Sequence, residues 1–327
     1  MSVLVTGGAG YIGSVTVEEL IKRGEKVVVL DDLSKGHRDA VHPSAQFIQG
    51  DIGDEELLDD LIKQYAINSV IHFAAVSLVG ESMKIPENYF DINLNRSLKL
   101  LNSILRNGVK KIIFSSTAAT YGKPQNIPIL ESDKTQPVNP YGKSKLFFEQ
   151  ILEDYGKAYG LKYISLRYFN AAGASENYGE DHNPETHLIP IVLDVAIGKR
   201  DFVEVYGDDY PTKDGSCIRD YIHIIDLAEA HILGLEALRN KARSAIYNLG
   251  NGNGYSVYEV INCVKEVTDK NIQIKVGKRR EGDPSVLVAS SEKIKRELGW
   301  QPRFPSLKSI IESAYKWKLK YRDGYKN

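Results

Sequence analysis

The stretch that decides the fold is VTGGAGYIG at residues 5–13. It joins the end of a short β-branched run to the start of a helical pattern, and three of its glycines stand three residues apart. Gly7 permits a tight turn, Gly10 lets the backbone approach a pyrophosphate, and Gly13 permits close packing of helix on sheet. The N–H groups at the start of the helix then point at the phosphates. The stretch therefore predicts a dinucleotide-binding turn.

Strand-like runs alternate with amphipathic segments in the first half of the chain. These runs are Val3–Val5, Lys26–Leu30, Ser69–Phe73 and Lys111–Phe114. They are short, β-branched and almost continuously apolar, which is typical of strands buried on both faces of a parallel sheet. Between them lie a helical pattern over 11–22 and a second helix for which Asp54 is the predicted N-cap. The alternation predicts an α/β fold with a doubly wound parallel sheet of the Rossmann type.

The pattern changes after about residue 169. Residues 170–185 are rich in glycine, asparagine and proline, show little apolar periodicity, and predict a long loop. We therefore expect a Rossmann domain over 1–169 and a smaller C-terminal substrate domain over 170–327. The apolar run at 246–249 predicts a strand that rejoins the first sheet.

The charges of the 327-residue chain nearly cancel, since 42 Lys and Arg face 43 Asp and Glu. Without a basic field, nucleic acid and anionic membranes are not expected partners. The chain has no run of 18 or more apolar residues, and its N-terminus passes directly into a strand pattern, so neither a membrane span nor a signal peptide is predicted. Cys217 and Cys263 form neither a metal-ligand spacing nor a disulfide framework. We expect a cytoplasmic protein without a bound metal.

Carboxylates stand directly after the second predicted strand and again at residue 51. Asp31 and Asp32 stand about 20 residues beyond the glycines, where a carboxylate accepts hydrogen bonds from the adenosine ribose. An aspartate there repels a 2′-phosphate, so the pattern favours NAD over NADP. Asp51 and Ile52 are placed to reach the adenine. A solvated turn is the alternative at both places, and Gly50 before Asp51 is also good turn chemistry.

A phenol and an ammonium stand four residues apart at Tyr141 and Lys145. If a helix begins after Pro140, both side chains lie on one face, one turn apart. A nearby cation favours the phenolate, and a tyrosine of lowered pKa acts as general acid or base on a hydroxyl. Thr117 ends a hydroxyl cluster at 115–117, from which it could relay a proton to that tyrosine. A surface helix pair and a Ser/Thr turn are the alternatives.

On these residues and on several later segments, the chain resembles the extended short-chain dehydrogenases/reductases and, within them, the nucleotide-sugar 4-epimerases. The likeness runs over nearly the whole chain. The glycine turn and the Tyr/Lys pair mark only the superfamily, whereas the later segments are more specific. These are Val79-Gly80-Glu81-Ser82, Leu166-Arg167-Tyr168-Phe169-Asn170, Asp209-Tyr210-Pro211-Thr212, Arg219-Asp220-Tyr221-Ile222-His223 and Arg279-Arg280-Glu281-Gly282-Asp283.

The resemblance implies an isomerase that keeps NAD bound and reversibly inverts C4 of UDP-glucose and UDP-galactose through a 4-keto sugar. In that scheme Tyr141 removes the proton of the 4-hydroxyl while hydride passes to NAD. Thr117 bridges O4 and the tyrosine, and Lys145 holds the nicotinamide ribose and lowers the tyrosine pKa. The protein orients the reactants while NAD carries the redox chemistry. A homodimer is the expected assembly.

The resemblance and the glycine turn together assign a cofactor site. Its expected residues are Gly7, Gly10, Tyr11, Ile12, Gly13, Asp31, Asp32, Leu33, Ser34, Lys35, Gly36, Asp51, Ile52, Phe73, Ala74, Ala75, Ser77, Asn93, Thr117, Tyr141, Lys145 and Phe169. On the substrate side, the planar forks of Arg219 and Arg280 suit a diphosphate, Asp283 matches a ribose contact, and Tyr206 lies beside the uracil. The other expected substrate contacts are Asn170, His187, Leu188, Glu204, Val205 and Leu287.

Four residues depart from the family pattern or vary within it. His187 replaces an asparagine near the diphosphate, Ser77 replaces a lysine on the nicotinamide side, and Arg96 replaces a glycine. Leu287 stands where the family uses a tyrosine or a smaller residue to gate sugar size. That position predicts acceptance of the N-acetylated UDP-sugars beside UDP-galactose.

Other activities on the same fold make different demands. Dehydratases need an acidic pair directly after the Ser/Thr position and decarboxylases need an acid there, but Ala118 and Ala119 occupy those places. A uronate or pentose epimerase stays open. A non-enzymatic NAD-sensing regulator is less compatible with a chain that keeps Thr117, Tyr141 and Lys145.

Overall fold

The computed structural model describes residues 2–280 and 284–326. Its strands are β1 Ser2–Thr6, β2 Lys26–Asp31, β3 Gln46–Gln49, β4 Ile67–His72, β5 Lys111–Thr117, β6 Lys162–Tyr168, β7 Asn170–Ala172, β8 Val203–Tyr206, β9 Ile218–His223, β10 Ala245–Leu249, β11 Gly254–Ser256, β12 Ile274–Gly277 and β13 Val286–Leu287. Its helices are α1 Tyr11–Lys22, α2 Glu55–Gln64, α3 Val79–Ser82, α4 Pro86–Phe90, α5 Ser97–Arg106, α6 Pro140–Tyr159, α7 Leu188–Ala196, α8 Ile224–Arg239, α9 Val257–Thr268, α10 Glu292–Leu298 and α11 Leu307–Lys320. Among these described helices, none is long and apolar enough to cross a membrane.

Seven parallel strands form the large sheet, in the order β10-β6-β5-β4-β1-β2-β3. The order reverses beside β1, whose Thr6 pairs with Leu30 on β2 and with His72 on β4. In such sheets ligands bind at the carboxyl ends of the strands, where the order reverses. The predicted doubly wound parallel sheet is confirmed.

Helices cover both faces of this sheet, which explains why its strands are continuously apolar. On β1, Val3 and Val5 pack into the cluster that contains α1 and α8, whereas Leu4 packs on the opposite face with α2, α5 and α6. All three side chains are fully buried. Burying each of them contributes roughly 1.5–3 kcal/mol. A polar residue on either face would therefore leave an unsatisfied group in a closed core.

The second region has its own smaller core, formed by α7, α9 and α11 around β8 and β12. In a second sheet, β9 pairs with β7, β11 and β13. Two elements that follow residue 170 nevertheless belong to the large layer: β10 pairs with β6, and α8 packs against α1. The strand expected at 246–249 therefore lies in the large sheet. The division into 1–169 and 170–327 stays a prediction.

The predicted ends of α1 and the predicted N-cap of α2 are confirmed, because both depend on residues close together in sequence. Helix α1 begins and ends at the predicted residues, and Asp54 Oδ1 accepts the N–H of Leu57 at 3.1 Å as an N-cap. The segment predicted as a loop over 170–185 begins instead with β7. This strand has only three residues, which is too short for an alternating pattern to be recognised in the sequence. A π-helical turn at Asp91–Arg96, which the sequence did not suggest, joins α4 to α5.

His231 on α8 gives the fold a specific pH dependence. Its ring is fully buried against Phe73 and Tyr168, and burial lowers its pKa to about 4 although Nδ1 donates to the Leu227 carbonyl at 2.8 Å. The unfolded chain, with a histidine pKa of about 6.5, binds the proton first. The stabilisation is therefore complete above about pH 6.5 and is lost as the pH falls toward 4, by roughly 1 kcal/mol for each pH unit.

We expect the free energy of unfolding of the wild type to fall more steeply from pH 7 to pH 5 than that of His231→Gln. Urea unfolding at several pH values measures both slopes. The difference between the slopes isolates this one histidine from other titrating groups. Equal slopes would contradict a neutral, buried His231.

Candidate active site

A single large cavity of about 1850 Å³ runs along the carboxyl edge of the large sheet and into the second region. This volume exceeds the roughly 300–1000 Å³ of a pocket for one small ligand. Every expected cofactor residue except Leu33 and Asn93 lines it. All the expected substrate residues that the structure describes also line it, except Val205. The fold thus brings two sets of residues, distant in sequence, to one cavity.

The glycine turn forms the cavity floor beside β1 and is fixed by sterics. Gly7 has φ +71°, and a Cβ on it would lie 2.5 Å from the amide nitrogen of Ala74. A Cβ on Gly13 would lie 2.1 Å from the Gly7 carbonyl oxygen, so this glycine packs α1 against the turn itself rather than against the sheet. No side chain caps α1 at Gly10, which leaves the start of the helix to a ligand. This geometry fits the pyrophosphate of a dinucleotide.

Asp31 connects the end of β2 to this turn. Its carboxylate accepts the N–H of Ala9 and the N–H of Leu33, both at 2.9 Å. Burial raises the pKa of Asp31, and the two backbone N–H groups oppose that rise. Leu33 is held by its backbone and does not line the cavity. That Asp31 binds the adenosine ribose stays a prediction, whereas its hydrogen bond to the Ala9 N–H of the glycine turn is present in the structure.

Arg96 has a role that sequence analysis missed. Its guanidinium binds the carboxylates of Asp51 and Asp91, the latter at 2.9 Å from Nε. Asp51 also accepts the N–H of Gly53 at 2.6 Å. Arg96 lines the cavity at the end where the adenine is expected. Asp51, the predicted adenine contact, is therefore already charge-paired, and Arg96 adds a planar cation to that wall.

Thr117 and Tyr141 meet where β5 ends and α6 begins. Helix α6 begins at Pro140, and Asn139 Oδ1 accepts the N–H of Gly142 at 2.8 Å as N-cap. The Thr117 side chain lies near enough to the Tyr141 phenol to oppose the rise in its pKa that burial causes. Both residues line the cavity, so the predicted juxtaposition of hydroxyl and phenol is found in the structure.

Lys145 lies one turn further along α6 and is almost fully buried. Its Nζ donates to the Ser115 carbonyl at 3.0 Å and lies 4.9 Å from the ring centroid of Phe114. Burial lowers the pKa of Lys145 to about 7, against the opposing charge of Glu149. Burial also raises the pKa of Tyr141, and the Thr117 side chain only opposes that rise.

The expected lowering of the Tyr141 pKa by Lys145 is therefore not found in the protein alone. The reason is burial, which disfavours the ammonium form of Lys145 and keeps the Tyr141 phenol neutral. A cationic ligand beside Tyr141 would favour its ionised form. The oxidised nicotinamide ring carries a charge of that sign.

The substrate half of the cavity carries the predicted cations and aromatic rings. The Arg280 guanidinium stacks over the Tyr206 ring at 3.9 Å. Arg219 on β9 pairs in register with Leu287 on β13, which places the predicted size gate beside a predicted diphosphate contact. His187 directly precedes α7 and lines the cavity.

Three expected site residues lie elsewhere. Asn93 is buried behind the cavity wall, where its Nδ2 donates to the Val76 carbonyl at 2.9 Å and its Oδ1 accepts the Val76 N–H at 2.9 Å. It therefore holds the wall segment next to Ser77. Val205 points into the core of the second region, and Leu33 is described above. Asp283 lies outside the described residues.

Comparison with known proteins agrees with this site. The model of the NAD dependent epimerase/dehydratase family matches residues 3–250. The glycine turn and the Tyr–Lys pair of this cavity are the features of an NAD-dependent enzyme with a Rossmann fold. The chain belongs to the NAD dependent epimerase/dehydratase family. A UDP-glucose 4-epimerase of Halalkalibacterium halodurans is 54% identical, with 99% of this chain and 98% of that protein aligned. One of Lacticaseibacillus casei is 51% identical over 99% of each chain.

Solved structures show the same likeness. A crystal structure of a UDP-glucose 4-epimerase superposes with a TM-score of 0.98 at 50% identity and covers all of both chains. The UDP-glucose 4-epimerase of Brucella ovis, solved in complex with NAD, has a TM-score of 0.94 at 44% identity, with 96% of this chain and 97% of that chain covered. The resemblance inferred from sequence motifs is confirmed.

Proposed function

We propose that this chain reversibly interconverts UDP-glucose and UDP-galactose at C4 and keeps NAD bound throughout. The observation that carries the proposal is one continuous cavity whose floor is the glycine turn and whose walls hold Thr117, Tyr141 and Lys145. Relatives that are about half identical over their full length are named UDP-glucose 4-epimerases. The neighbour from Bifidobacterium longum was solved in complex with NAD⁺ and UDP, at 38% identity.

The mechanism assigns each wall residue a task. Tyr141 accepts the proton of the sugar 4-hydroxyl, and the Thr117 hydroxyl beside it bridges the sugar oxygen. Lys145 would hold the nicotinamide ribose. Bound NAD would supply the chemistry of reversible hydride transfer, taking a hydride from C4 and giving it back. Once the 4-keto sugar has turned over in the site, C4 would regain that hydride on its opposite face while Tyr141 returns the proton to O4, so the product is the other C4 epimer.

The substrate half supports a nucleoside diphosphate as the handle of the substrate. Arg219 and Arg280 place guanidinium groups on one cavity region, and such forks bind phosphate oxygens in pairs. Ala118 and Ala119 also line the cavity, directly after Thr117. With no carboxyl group at these two positions to protonate a leaving hydroxyl, epimerisation is favoured over dehydration.

A homodimer and a cytoplasmic location complete the proposal. An exposed aromatic pair supports a partner surface, since Phe147 on α6 is 41% exposed and stacks on Phe90 of α4. Light scattering on the purified protein measures the mass directly.

The decisive experiment incubates purified protein with UDP-galactose and no added NAD, and measures UDP-glucose. Denatured protein is assayed for released NAD and NADP. Parallel reactions with UDP-glucuronate and UDP-xylose test the uronate and pentose alternatives. We expect UDP-glucose to form and NAD to be released. Nucleotide-free protein, or NAD-loaded protein that converts only another sugar, would overturn the proposal.

Leu287 leads to a prediction about substrate size. Its half-buried side chain lines the cavity, and leucine is shorter than the tyrosine that would fill the space needed by an N-acetyl group. We expect the wild type to accept UDP-GalNAc beside UDP-galactose. A Campylobacter jejuni neighbour at 40% identity is a UDP-Glc/GlcNAc 4-epimerase.

Leu287→Tyr should lower kcat/KM for UDP-GalNAc about 10–200-fold relative to UDP-galactose, because a pocket contact of this size is worth about 1–3 kcal/mol. The ratio of the two kcat/KM values is the measurement, and UDP-galactose serves as the internal control. If the wild type ignores UDP-GalNAc, or if the ratio does not move, the gate assignment is wrong.

A further inference from the structure

Four chemically matched side chains converge in the segment that precedes α7. Glu180, His182, Glu185 and His187 each direct one nitrogen or oxygen atom to a common point, and these atoms all lie within 4.8 Å of one another. His187 Nδ1 lies 2.8 Å from Glu185 Oε1 and 3.6 Å from Glu180 Oε1. His182 Nδ1 contacts the same Glu180 oxygen. One carboxylate oxygen is thus shared by two imidazoles.

The donor atoms of this cluster suit a cation. The side chains of Glu180 and Glu185 are only 9% and 10% exposed, so both carboxylates meet the two imidazoles with little water between them. Without an ion the carboxylates pair with His182 and His187, and a divalent ion would replace the imidazole protons in balancing both charges. Mixed nitrogen and oxygen donors suit a transition metal, whereas Mg²⁺ and Ca²⁺ prefer oxygen ligands alone.

We propose that Glu180, His182, Glu185 and His187 bind a divalent transition-metal ion, with Zn²⁺ as the ion that two imidazoles and two carboxylates favour. Sequence analysis considered only cysteine spacing and expected no metal. The four positions span eight residues. A glutamate is followed two residues later by a histidine at 180/182 and again at 185/187, and this repeat is the sequence signal for the site.

Contacts with neighbouring elements position the segment that carries the four donors. The Tyr11 hydroxyl, at the start of α1, donates to the Gly173 carbonyl at 2.6 Å, and the Tyr11 ring meets His182 edge-on at 6.4 Å. Near the other side, Asp181 accepts the N–H of Tyr325 at 2.8 Å, so this carboxylate is engaged outside the cluster. Glu180, His182 and His187 line the large cavity, which gives an ion a path from solvent.

The metal would cross-link residues 180–187, the segment before α7, beside the Tyr11 ring at the start of α1. Its task is positional, because none of the four residues contacts Tyr141 or Thr117 in the described hydrogen bonds. His187 is the residue that the resemblance placed at the substrate diphosphate. Because its Nδ1 is directed into the cluster, His187 would bind the metal through that atom. A contact with the substrate diphosphate would not be its main role.

The test uses tag-free full-length protein, because a histidine tag binds Zn²⁺ itself. After treatment with a chelator and dialysis, Zn²⁺ is titrated calorimetrically, with Mg²⁺ in a parallel titration. We expect about one Zn²⁺ per chain, a rise in Tm with Zn²⁺, and no response to Mg²⁺. His182→Gln and Glu185→Gln should each weaken Zn²⁺ binding about 100-fold or more, because even the outer partners of metal ligands are worth 10–100-fold.

His42→Gln is the matched control, since this histidine lies outside the cluster, where Nδ1 accepts the Ser44 N–H at 3.1 Å. It should bind Zn²⁺ as the wild type does. Should both cluster variants fail to fold, Co²⁺ loaded into the wild type provides a second measurement through the intense visible bands of a tetrahedral site. The proposal is overturned if the wild type binds no Zn²⁺, if folded cluster variants bind it equally well, or if Co²⁺ shows only the weak bands of a hydrated ion. Epimerase activity can be retained in every one of these outcomes, so the test is independent of the proposed function.

Discussion

Tyr141→Phe should lower kcat about 10²–10⁴-fold while NAD stays bound and the fold stays intact. The change removes only the hydroxyl that exchanges a proton with the substrate, and general acid–base help is worth about that much. Phenylalanine keeps the ring, which packs edge-on against Tyr89 at 6.4 Å. Steady-state kinetics on UDP-galactose give the loss, and denaturation of the variant releases its NAD for assay.

Tyr159→Phe is the matched control, because it removes a phenol from the same helix at a position 57% exposed to solvent. Its kcat should equal that of the wild type. A Tyr141→Phe enzyme with near wild-type turnover would remove Tyr141 from the chemistry.

Gly13→Ala should give protein that carries no NAD. The added methyl group would lie 2.1 Å from the Gly7 carbonyl oxygen and 2.7 Å from the Gly8 Cα. Both neighbours are backbone atoms, so the turn or the start of α1 must move. A displacement of about 1 Å in a positioning element costs about 100-fold in rate, and we expect at least that loss without added NAD. Absorbance of the purified variant and assay of released nucleotide measure the cofactor directly.

Gly24→Ala separates this steric effect from a general loss of stability. Gly24 has a positive φ, +78°, which Gly13 does not have, and a Cβ there would meet nothing within 4 Å. This variant should lose only about 1–2 kcal/mol of stability and keep its NAD. Full NAD occupancy in Gly13→Ala would show that the turn tolerates a side chain.

The glycine turn was predictable because its cause is local. Three glycines at fixed spacing between a strand and a helix are compatible with few structures other than such a turn. In the structure, a side chain on Gly7 or on Gly13 would collide with backbone atoms. The start of α6 was equally local, with Asn139 and Pro140 as ordinary signals for a helix N-terminus.

The remaining parts of the site depend on contacts between residues distant in sequence. Arg96 binds Asp51 across 45 residues, and nothing in the spacing of either residue indicates this pair. Asn93 turned toward the Val76 backbone rather than the cavity for the same reason. The pKa of Lys145 depends on how completely β5 and α6 bury it, which no motif expresses.

The return of α8 and β10 to the large sheet determines how this protein can be recombined with its relatives. A chain cut after residue 169 lacks an edge strand and the helix that covers half of one sheet face. Trp300, from still later in the chain, is fully buried in that same core. The proposed substrate residues, which lie before and after 224–249, therefore cannot be exchanged by a single crossover between two parents. A chimaera designed on that proposal would graft the β8 and β12–β13 segments and leave 224–249 with the parent that supplies the sheet.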